Sequence, residues 1–276
     1  MIISKPSLKV VATVLAKNEA DIIKEQIEHH LNQGVFKIIF TDNNSSDNTK
    51  EIASKYKEVE IIEESENDHN QSKWVTRMAE EAIKFNPDWI IHLDADEFWC
   101  NIMSLKNFDC EVVGCQRMYM HPPQKWEFDF KSMQHYLDMD HIPFPQECKI
   151  AHRPIEGIVI EHGNHGVVGN YKREHTTQVS RHHYPIRSYD QLLEKIKGHE
   201  ALQRRGVVCE RWAKWHKWNQ NQELQKEYAK FTDNWKKMIA NPSAEYFLPM
   251  LDFWSEDHVT EEFKSKGWLP RIGIFD

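Results

Sequence analysis

Apolar runs and amphipathic segments alternate along the first hundred residues. Four short runs rich in β-branched and other apolar residues predict strands, at Lys9–Leu15, Lys37–Thr41, Val59–Glu63 and Trp89–Leu93, the first of them a buried strand. The segments between them place apolar residues at helical spacing and predict helices, at Ala20–Gln33, Ser46–Tyr56 and Ser72–Phe85. Strands joined through helices of this length need right-handed crossovers. The pattern therefore predicts an α/β fold with a mostly parallel sheet.

This alternation fades after residue 100. A further strand is predicted at Val112–Met120, whereas residues 124–180 are rich in His, Gly and Pro and indicate hairpins and loops rather than helices. Helical spacing returns at Tyr189–Arg205 and at Glu210–Ile239. We therefore expect a C-terminal helical extension after the sheet.

Polar clusters follow three of the four N-terminal strands. They are Lys17-Asn18-Glu19, Asp42-Asn43-Asn44 and Asp94-Ala95-Asp96-Glu97. In parallel α/β sheets the carboxyl ends of the strands lie at one edge, and ligands bind there. The three clusters together predict a binding site at that edge, which no one of them would predict alone.

The acidic cluster has the chemistry of a metal site. Asp94 and Asp96 are two residues apart, so on an extended segment both carboxylates face the same way. Magnesium and manganese prefer such oxygen ligands and often bind phosphate as well. One alternative is a solvated acidic turn. Another is the D-x-D nucleophile of haloacid-dehalogenase-type phosphatases, which the position after the fourth strand disfavours.

Composition narrows the function and the compartment. The mean hydropathy of -0.70 fits a folded protein with a charged surface. The formal charge of -8 argues against a nucleic-acid partner, since proteins that bind the phosphate backbone are normally basic. Five cysteines without a C-x-x-C pair favour reduced thiols over a disulfide framework. The apolar stretch at the N-terminus is too short for a signal peptide, and no run approaches a membrane span. We expect a cytoplasmic protein, with peripheral contact with the inner face of the membrane left open.

At these motifs the sequence resembles glycosyltransferase family 2, whose fold is of the GT-A type. The resemblance is carried by VVATVLAKNEADII, FTDNNSSDNT and WIIHLDADEFW, and HHYPIRSYDQLLEKI resembles a segment of the Asp-Ala-Asp-Glu-Phe subgroup. It implies a Rossmann-type sheet with flanking helices and a metal-dependent enzyme of glycan or polysaccharide biosynthesis. Such an enzyme moves a sugar, by hexosyltransferase-type and inverting transfer, from a nucleotide diphosphate donor, a UDP-sugar, to a hydroxyl of a glycan or glycolipid acceptor.

The resemblance also implies a domain division and a donor pocket. Residues 1–188 would form the GT-A-like catalytic domain and residues 189–276 the helical extension, with a single domain as the alternative. The residues expected to line the nucleotide pocket are Ala12, Leu15, Asn18 and Glu19. Asp42 would contact the uracil or ribose, although it could instead close an Asx turn. Lys73 and Arg77, one helical turn apart, would reach the donor phosphate.

Metal ligands and a general base complete the implied site. Asp94 would lie on the ribose or sugar side and Asp96 would bind Mn²⁺ or Mg²⁺ directly, with His165 or His183, preferably His183, as a further ligand. The sequence departs from the family by lacking a Glu-Asp pair in the expected region. The candidate bases left are Glu161, which we prefer, Glu156 and Asp190.

Several alternatives stay open at this point. Trp212, Trp215 and Trp218 recur at spacing three on a predicted helix. They favour core packing, with sugar stacking or a membrane-facing surface as alternatives. A nucleotidyltransferase is disfavoured because no glycine-rich loop follows the first strand. A non-catalytic nucleotide- or glycan-binding module is the remaining alternative. The sequence leaves the oligomeric state open.

Overall fold

The computed structural model describes residues 8–65, 70–121, 135–138, 148–203 and 210–274. The strands in this part of the chain are β1 (Val10–Ala16), β2 (Val35–Asp42), β3 (Val59–Glu63), β4 (Trp89–Asp94), β5 (Glu97–Cys100), β6 (Val112–Met120), β7 (His135–Asp138), β8 (Lys149–His152), β9 (Val159–Ile160), β10 (Val167–Val168), β11 (Arg173–His183) and β12 (Arg271–Ile274). The helices are α1 (Ile23–Asn32), α2 (Thr49–Ala53), α3 (Gln71–Ile83), α4 (Tyr189–Gln203), α5 (Glu210–Gln220), α6 (Leu224–Ala240), α7 (Ala244–Trp254) and α8 (Asp257–Lys266).

The chain divides into two compact units. The first comprises Met1–Met118 and Pro145–His182, and the second comprises Tyr119–Phe144 and His183–Asp276. Each unit is described by itself below. The division into residues 1–188 and 189–276 stays a prediction.

The sheet of the first unit has the parallel half that the sequence predicts. Its strand order is β6-β8-β4-β1-β2-β3. Strands β4, β1, β2 and β3 run parallel, whereas β8 pairs antiparallel with both β4 and β6. The chain proceeds outward from β1 to β3 and then returns to place β4 on the other side of β1. The strand order therefore reverses between β1 and β4, which is where open α/β sheets form a crevice.

Helices cover this sheet with their apolar faces. In α3 the buried residues recur every three or four positions, at Trp74, Val75, Met78, Ala79 and Ala82, as an amphipathic helix requires. Helix α1 ends just before Gly34, whose φ of 91° is readily adopted by glycine at a helix C-terminus. The α/β class and the sheet with flanking helices are thus confirmed.

The second unit is mainly helical. The last two residues of β6, Tyr119 and Met120, pair with β7, and β7 pairs with β12, both antiparallel. Aromatic residues of α5, α6 and α7 form one core, in which Trp235 and Phe247 are fully buried. Trp215 lies in this core and donates from Nε1 to the carbonyl of Phe253 at 2.7 Å, and Trp218 stacks on the Phe253 ring. Core packing is therefore the correct interpretation of the tryptophan repeat.

Some predicted elements differ from the observed ones. The single helix predicted over residues 210–239 is wrong, because the chain turns between α5 and α6 where Gln222 takes a left-handed φ of 61°. The predicted loop region contains the hairpin β9–β10 and also the eleven-residue strand β11. Residues 124–134, 139–147 and 204–205 of the predicted segments lie outside the described residues. Within the described residues, no helix is long and apolar enough to cross a membrane.

Candidate functional site

Strand register brings the predicted polar clusters to one edge of the first unit. Leu15 pairs with Asp94 on β4, and the next residue, Ala16, pairs with Asp42 on β2. Asp42 and Asp94 therefore flank the end of β1 from opposite sides. This confirms the expectation that the clusters after β1, β2 and β4 share one edge, at the point where the strand order reverses.

Hydrogen bonds join the loops after β1 and β2. The Asn18 side-chain oxygen accepts from the backbone N–H of Ser46 at 2.8 Å and from its hydroxyl at 3.2 Å. The Glu19 N–H donates to the hydroxyl of Thr49 at 2.8 Å. Asn18 and Asn44 both take a left-handed φ, which asparagine tolerates better than most residues. In this structure Asn18 shapes the edge, while its predicted contact with a nucleotide stays a prediction.

Asp42 has one carboxylate oxygen engaged and one left over. Its Oδ2 accepts from the Ser45 N–H at 3.1 Å, as in the Asx turn considered above. Its Oδ1 is buried and, within the part of the chain that the structure describes, accepts no hydrogen bond. The residue as a whole is 5% exposed. A buried carboxylate oxygen without a donor is costly in free energy, so Oδ1 indicates a position where a ligand donor would be stabilised.

Arg77 provides hydrogen-bond donors near this acceptor. Its Nη1 pairs with Glu64 Oε2 at 3.1 Å, and the Glu64 N–H donates to the Asp42 carbonyl at 2.9 Å. Its Nε and Nη2 form one edge of the guanidinium, and neither is hydrogen-bonded to any of the described residues. An acceptor on Asp42 and a two-donor edge on Arg77 therefore lie on neighbouring parts of the sheet edge. Lys73, one turn earlier in α3, is exposed.

The side chains of the other two predicted pocket residues pack into the core. Ala12 is completely buried in the middle of β1, where its side chain belongs to a core cluster. Leu15 is partly buried and packs against a second core cluster. Their predicted contacts with a nucleotide stay predictions.

The acidic cluster is tied into a buried ion-pair network. Asp94 Oδ2 accepts from Lys149 Nζ at 2.5 Å, and Asp94 Oδ1 accepts from the Asn164 amide at 3.0 Å. Glu97 Oε1 accepts from Arg181 Nη1 at 2.8 Å and lies 3.8 Å from Lys149 Nζ. Asp94 and Glu97 are thus paired with cations from β8 and β11.

Burial and charge act in opposite directions on this network. Burial raises the pKa of the Asp94 carboxyl, and the nearby Lys149 ammonium opposes that increase. Burial alone would lower the pKa of Lys149, but the carboxylates of Asp94 and Glu97 outweigh it and hold the pKa above its ordinary value. Lys149 is therefore a permanent cation at neutral pH.

The predicted metal ligands do not form a prearranged set. Among the described residues, no three His, Cys, Asp or Glu side chains are placed to hold a metal ion. Both oxygens of Asp94 accept hydrogen bonds from protein groups, and His165 donates from Nδ1 to the Cys148 carbonyl at 2.9 Å. Asp96 is buried beside them, and His183 belongs to the second unit. The arrangement does not fit a preformed Asp94–Asp96 metal centre, so the metal and its ligands stay predictions.

The candidate bases lie in different parts of the chain. Glu161 is exposed and precedes the turn His162–Asn164, whose last residue contacts Asp94. Glu156 is also exposed in the first unit. Asp190 lies in the first turn of α4, in the second unit. Of these, Glu161 is the one that the first unit connects most directly to the acidic cluster.

Three residues of the network were not identified from the sequence. Lys149, Asn164 and Arg181 are distant from Asp94 along the chain and follow no motif. The one signal that could have identified Lys149 was its place at the start of β8, a short strand whose four residues are all buried. A charged residue in such a run is unusual unless it is paired.

A pair of neutral histidines lies buried beneath the edge. His152 Nδ1 is 2.6 Å from the Arg153 carbonyl and must carry the proton there, so His152 Nε2 accepts from His92 Nε2 at 3.0 Å. His92 Nδ1 is then an acceptor for the Thr13 hydroxyl at 2.7 Å. Each ring has one proton, and an added proton would remove an acceptor that the chain of hydrogen bonds needs.

Comparisons with known proteins agree with the sequence motifs. Residues 12–101 match the family model described as Glycosyl transferase family 2. No curated protein matches the chain.

Several solved structures resemble this chain, all at low sequence identity. A structure of S. aureus TarS 1-349 is 12% identical, covers 95% of this chain and 92% of its own, and gives a TM-score of 0.43. A longer S. aureus TarS structure is 13% identical and gives a TM-score of 0.42; the match covers 69% of this chain but only 38% of the TarS chain. Glucosyl-3-phosphoglycerate synthase from Mycobacterium tuberculosis is 14% identical, with 41% of this chain and 44% of that chain covered and a TM-score of 0.29. The segment that carries β1 to β4 and the polar edge is similar in sequence to glycosyltransferase family 2.

Proposed function

We propose that this protein is a glycosyltransferase that binds a nucleotide diphosphate sugar, a UDP-sugar, at the edge formed by β1, β2 and β4. The observation that carries the proposal is the buried Oδ1 of Asp42, which has no donor among the described residues. A uracil ring presents an N–H between two carbonyl oxygens, so Asp42 Oδ1 can accept from that N–H and the Arg77 edge can donate to one of the carbonyl oxygens. Asp42 at the end of β2 provides the acceptor, and Arg77 on α3 provides the two donors.

The rest of the donor would extend from Asp42 toward Asp94. Register places these two residues on either side of the β1 terminus, so a nucleotide bound at Asp42 directs its sugar diphosphate across that terminus. Lys73 is proposed to reach the phosphates from α3. Asp96 is proposed to face the diphosphate and would be the residue to hold the predicted Mn²⁺ or Mg²⁺, a cation that would offset diphosphate charge.

Transfer to the acceptor needs one proton acceptor. The acceptor hydroxyl oxygen would attack the anomeric carbon while the bond from that carbon to the diphosphate oxygen breaks, and Glu161 would take the hydroxyl proton. The acceptor is proposed to be a glycan or glycolipid, and the transfer to be inverting. Glu161 is favoured over Asp190 because its turn contacts Asp94 through Asn164.

Donor hydrolysis across a panel of nucleotide sugars tests the reaction class. We expect release of a nucleoside diphosphate, and fastest release from a UDP-sugar. A nucleotidyltransferase would release pyrophosphate from a nucleoside triphosphate instead, and a non-catalytic binding module would bind UDP without releasing it from any donor. Absence of UDP binding by calorimetry and of diphosphate release from every donor would reject the proposal.

Asp42→Asn is expected to weaken UDP binding by about 10- to 100-fold, the range for loss of a hydrogen bond to a charged group. The asparagine can keep its oxygen toward the Ser45 N–H, and its NH₂ group then faces the ligand N–H, so a donor meets a donor. Calorimetry with UDP measures the effect. Asp88→Asn is the matched control, since Asp88 accepts from the Lys9 N–H near the start of β4, at the opposite edge. Equal affinity of Asp42→Asn and the unaltered protein would remove Asp42 from the pocket.

A further inference from the structure

The Asp94 carboxylate accepts hydrogen bonds from two donors of the protein itself. Lys149 Nζ lies 2.5 Å from Oδ2, and the Asn164 amide nitrogen lies 3.0 Å from Oδ1. A cation that bound Asp94 would lie next to the Lys149 ammonium, which would repel it. Asp94 is therefore prepared to accept hydrogen bonds rather than to ligate a metal.

Lys149 is held in place by more than this one contact. Its side chain is only 5% exposed, and Nζ also donates to the Gly163 carbonyl at 2.6 Å. Gly163 lies in the turn that carries Asn164 and has a φ of 77°, a conformation that glycine adopts without a steric penalty. In this conformation its carbonyl accepts from the Lys149 ammonium. The lysine thus joins the acidic cluster to the turn that supplies the second donor to Asp94.

Charge is largely balanced within this network. Asp94, Asp96 and Glu97 bring three negative charges, and Lys149 and Arg181 bring two positive ones. Water screens charges poorly at buried positions, so these cations reduce the local negative potential more than surface cations would. Lys149 and Arg181 therefore offset two of the three negative charges that the acidic cluster presents to a diphosphate.

We propose that Lys149 supplies from within the protein the positive charge that an acidic cluster of this kind would otherwise take from a divalent cation. UDP then binds with little dependence on metal. This inference rests on the proposed function and refines it: Lys149 is a positioning residue, which orients Asp94 and lowers the repulsion of the diphosphate without touching the reacting atoms.

Calorimetric titration of UDP with and without Mn²⁺ tests the proposal on the whole chain. For the unaltered protein we expect less than about a threefold difference between EDTA and Mn²⁺. Lys149→Gln is expected to lose about tenfold or more in EDTA, which corresponds to about 1.4 kcal/mol, and to regain most of this loss with Mn²⁺ because Asp94 is now available as a ligand. Lys149→Arg keeps the charge and is expected to bind UDP in EDTA better than Lys149→Gln. Electron paramagnetic resonance of Mn²⁺ alone should show tighter binding to Lys149→Gln than to the unaltered protein.

The possible outcomes separate this inference from the proposed function. UDP binding by the unaltered protein only with Mn²⁺ would overturn the inference and leave the function standing. A loss in Lys149→Gln that Mn²⁺ does not restore would reduce Lys149 to a structural residue and also overturn it. UDP binding in neither condition would overturn both. Lys84→Gln, which alters an exposed lysine paired with Glu81 on α3, is the matched control and should behave like the unaltered protein.

Discussion

Arg181→Met is expected to lower the free energy of unfolding by about 3 to 5 kcal/mol, the range for breaking a buried ion pair by removing one partner. The side chains of Arg181 and Glu97 are 1% and 2% exposed, and Nη1 lies 2.8 Å from Oε1. Without the guanidinium, Glu97 stays buried, and the Lys149 ammonium, 3.8 Å from Oε1, still attracts it. This residual attraction favours the lower end of the range. Urea denaturation followed by far-UV circular dichroism measures the change.

Two companion variants show whether the effect comes from the buried charge. Glu97→Leu combined with Arg181→Met removes both charges, and it should recover much of the stability because no uncompensated carboxylate is left. Lys84→Met breaks an exposed pair with Glu81 and should change the free energy of unfolding by less than about 1 kcal/mol. If Arg181→Met is no more destabilising than Lys84→Met, the pair does not stabilise this unit.

Acidification is expected to destabilise the first unit steeply below pH 6.5. Burial lowers the pKa of His30 to about 3, that of His152 to about 4 and that of His182 to about 3. Burial also places the pKa of His92 well below its ordinary value of 6.5. Between pH 6.5 and about 4 the unfolded chain therefore binds protons that the folded chain does not. Stability falls as the pH falls through this window and is fully present above it.

The size of the effect follows from the number of buried rings. One fully buried neutral histidine contributes about 1.4 kcal/mol of destabilisation per pH unit below 6.5, so each contributes about 2 kcal/mol at pH 5. Even two such residues would remove a large part of a typical domain stability of about 5 to 15 kcal/mol. Urea denaturation at pH 8, 7, 6 and 5 measures the slope.

A single substitution tests whether the histidines are the source of the slope. His30 Nε2 accepts from the Trp99 N–H at 3.1 Å, and a glutamine oxygen can take over this bond without binding a proton. His30→Gln should therefore reduce the pH dependence by about 1.4 kcal/mol per pH unit, whatever its effect on stability at pH 8. Equal stability of the unaltered protein at pH 7 and pH 5 would contradict the prediction.

The sequence predicted the first hundred residues well because their elements are determined locally. Apolar runs of β-branched residues became β1 to β4 with shifts of at most two residues at their ends, since such side chains pack well on a pleated sheet. β1 and β4 are almost completely buried, whereas β3 is only partly buried. Polar residues after these strands fell at one edge because the carboxyl ends of parallel strands lie on the same side of a sheet. The prediction was weaker where chain reversals decide the structure, as at Gln222, where a left-handed residue separates two helices.

Tertiary structure alone decided how the charges at the edge are used. The sequence by itself determined that Asp42, Asp94 and Asp96 follow strands of one parallel sheet, and hence that a polar site exists. It contained no sign that Lys149 and Asn164, 55 and 70 residues from Asp94, would occupy both oxygens of that carboxylate. Such pairing depends on the register of β8 against β4 and on one turn, which are long-range contacts without a local pattern. The same holds for Asp42. That its Oδ1 is buried and accepts no hydrogen bond from the described residues follows only from the tertiary structure.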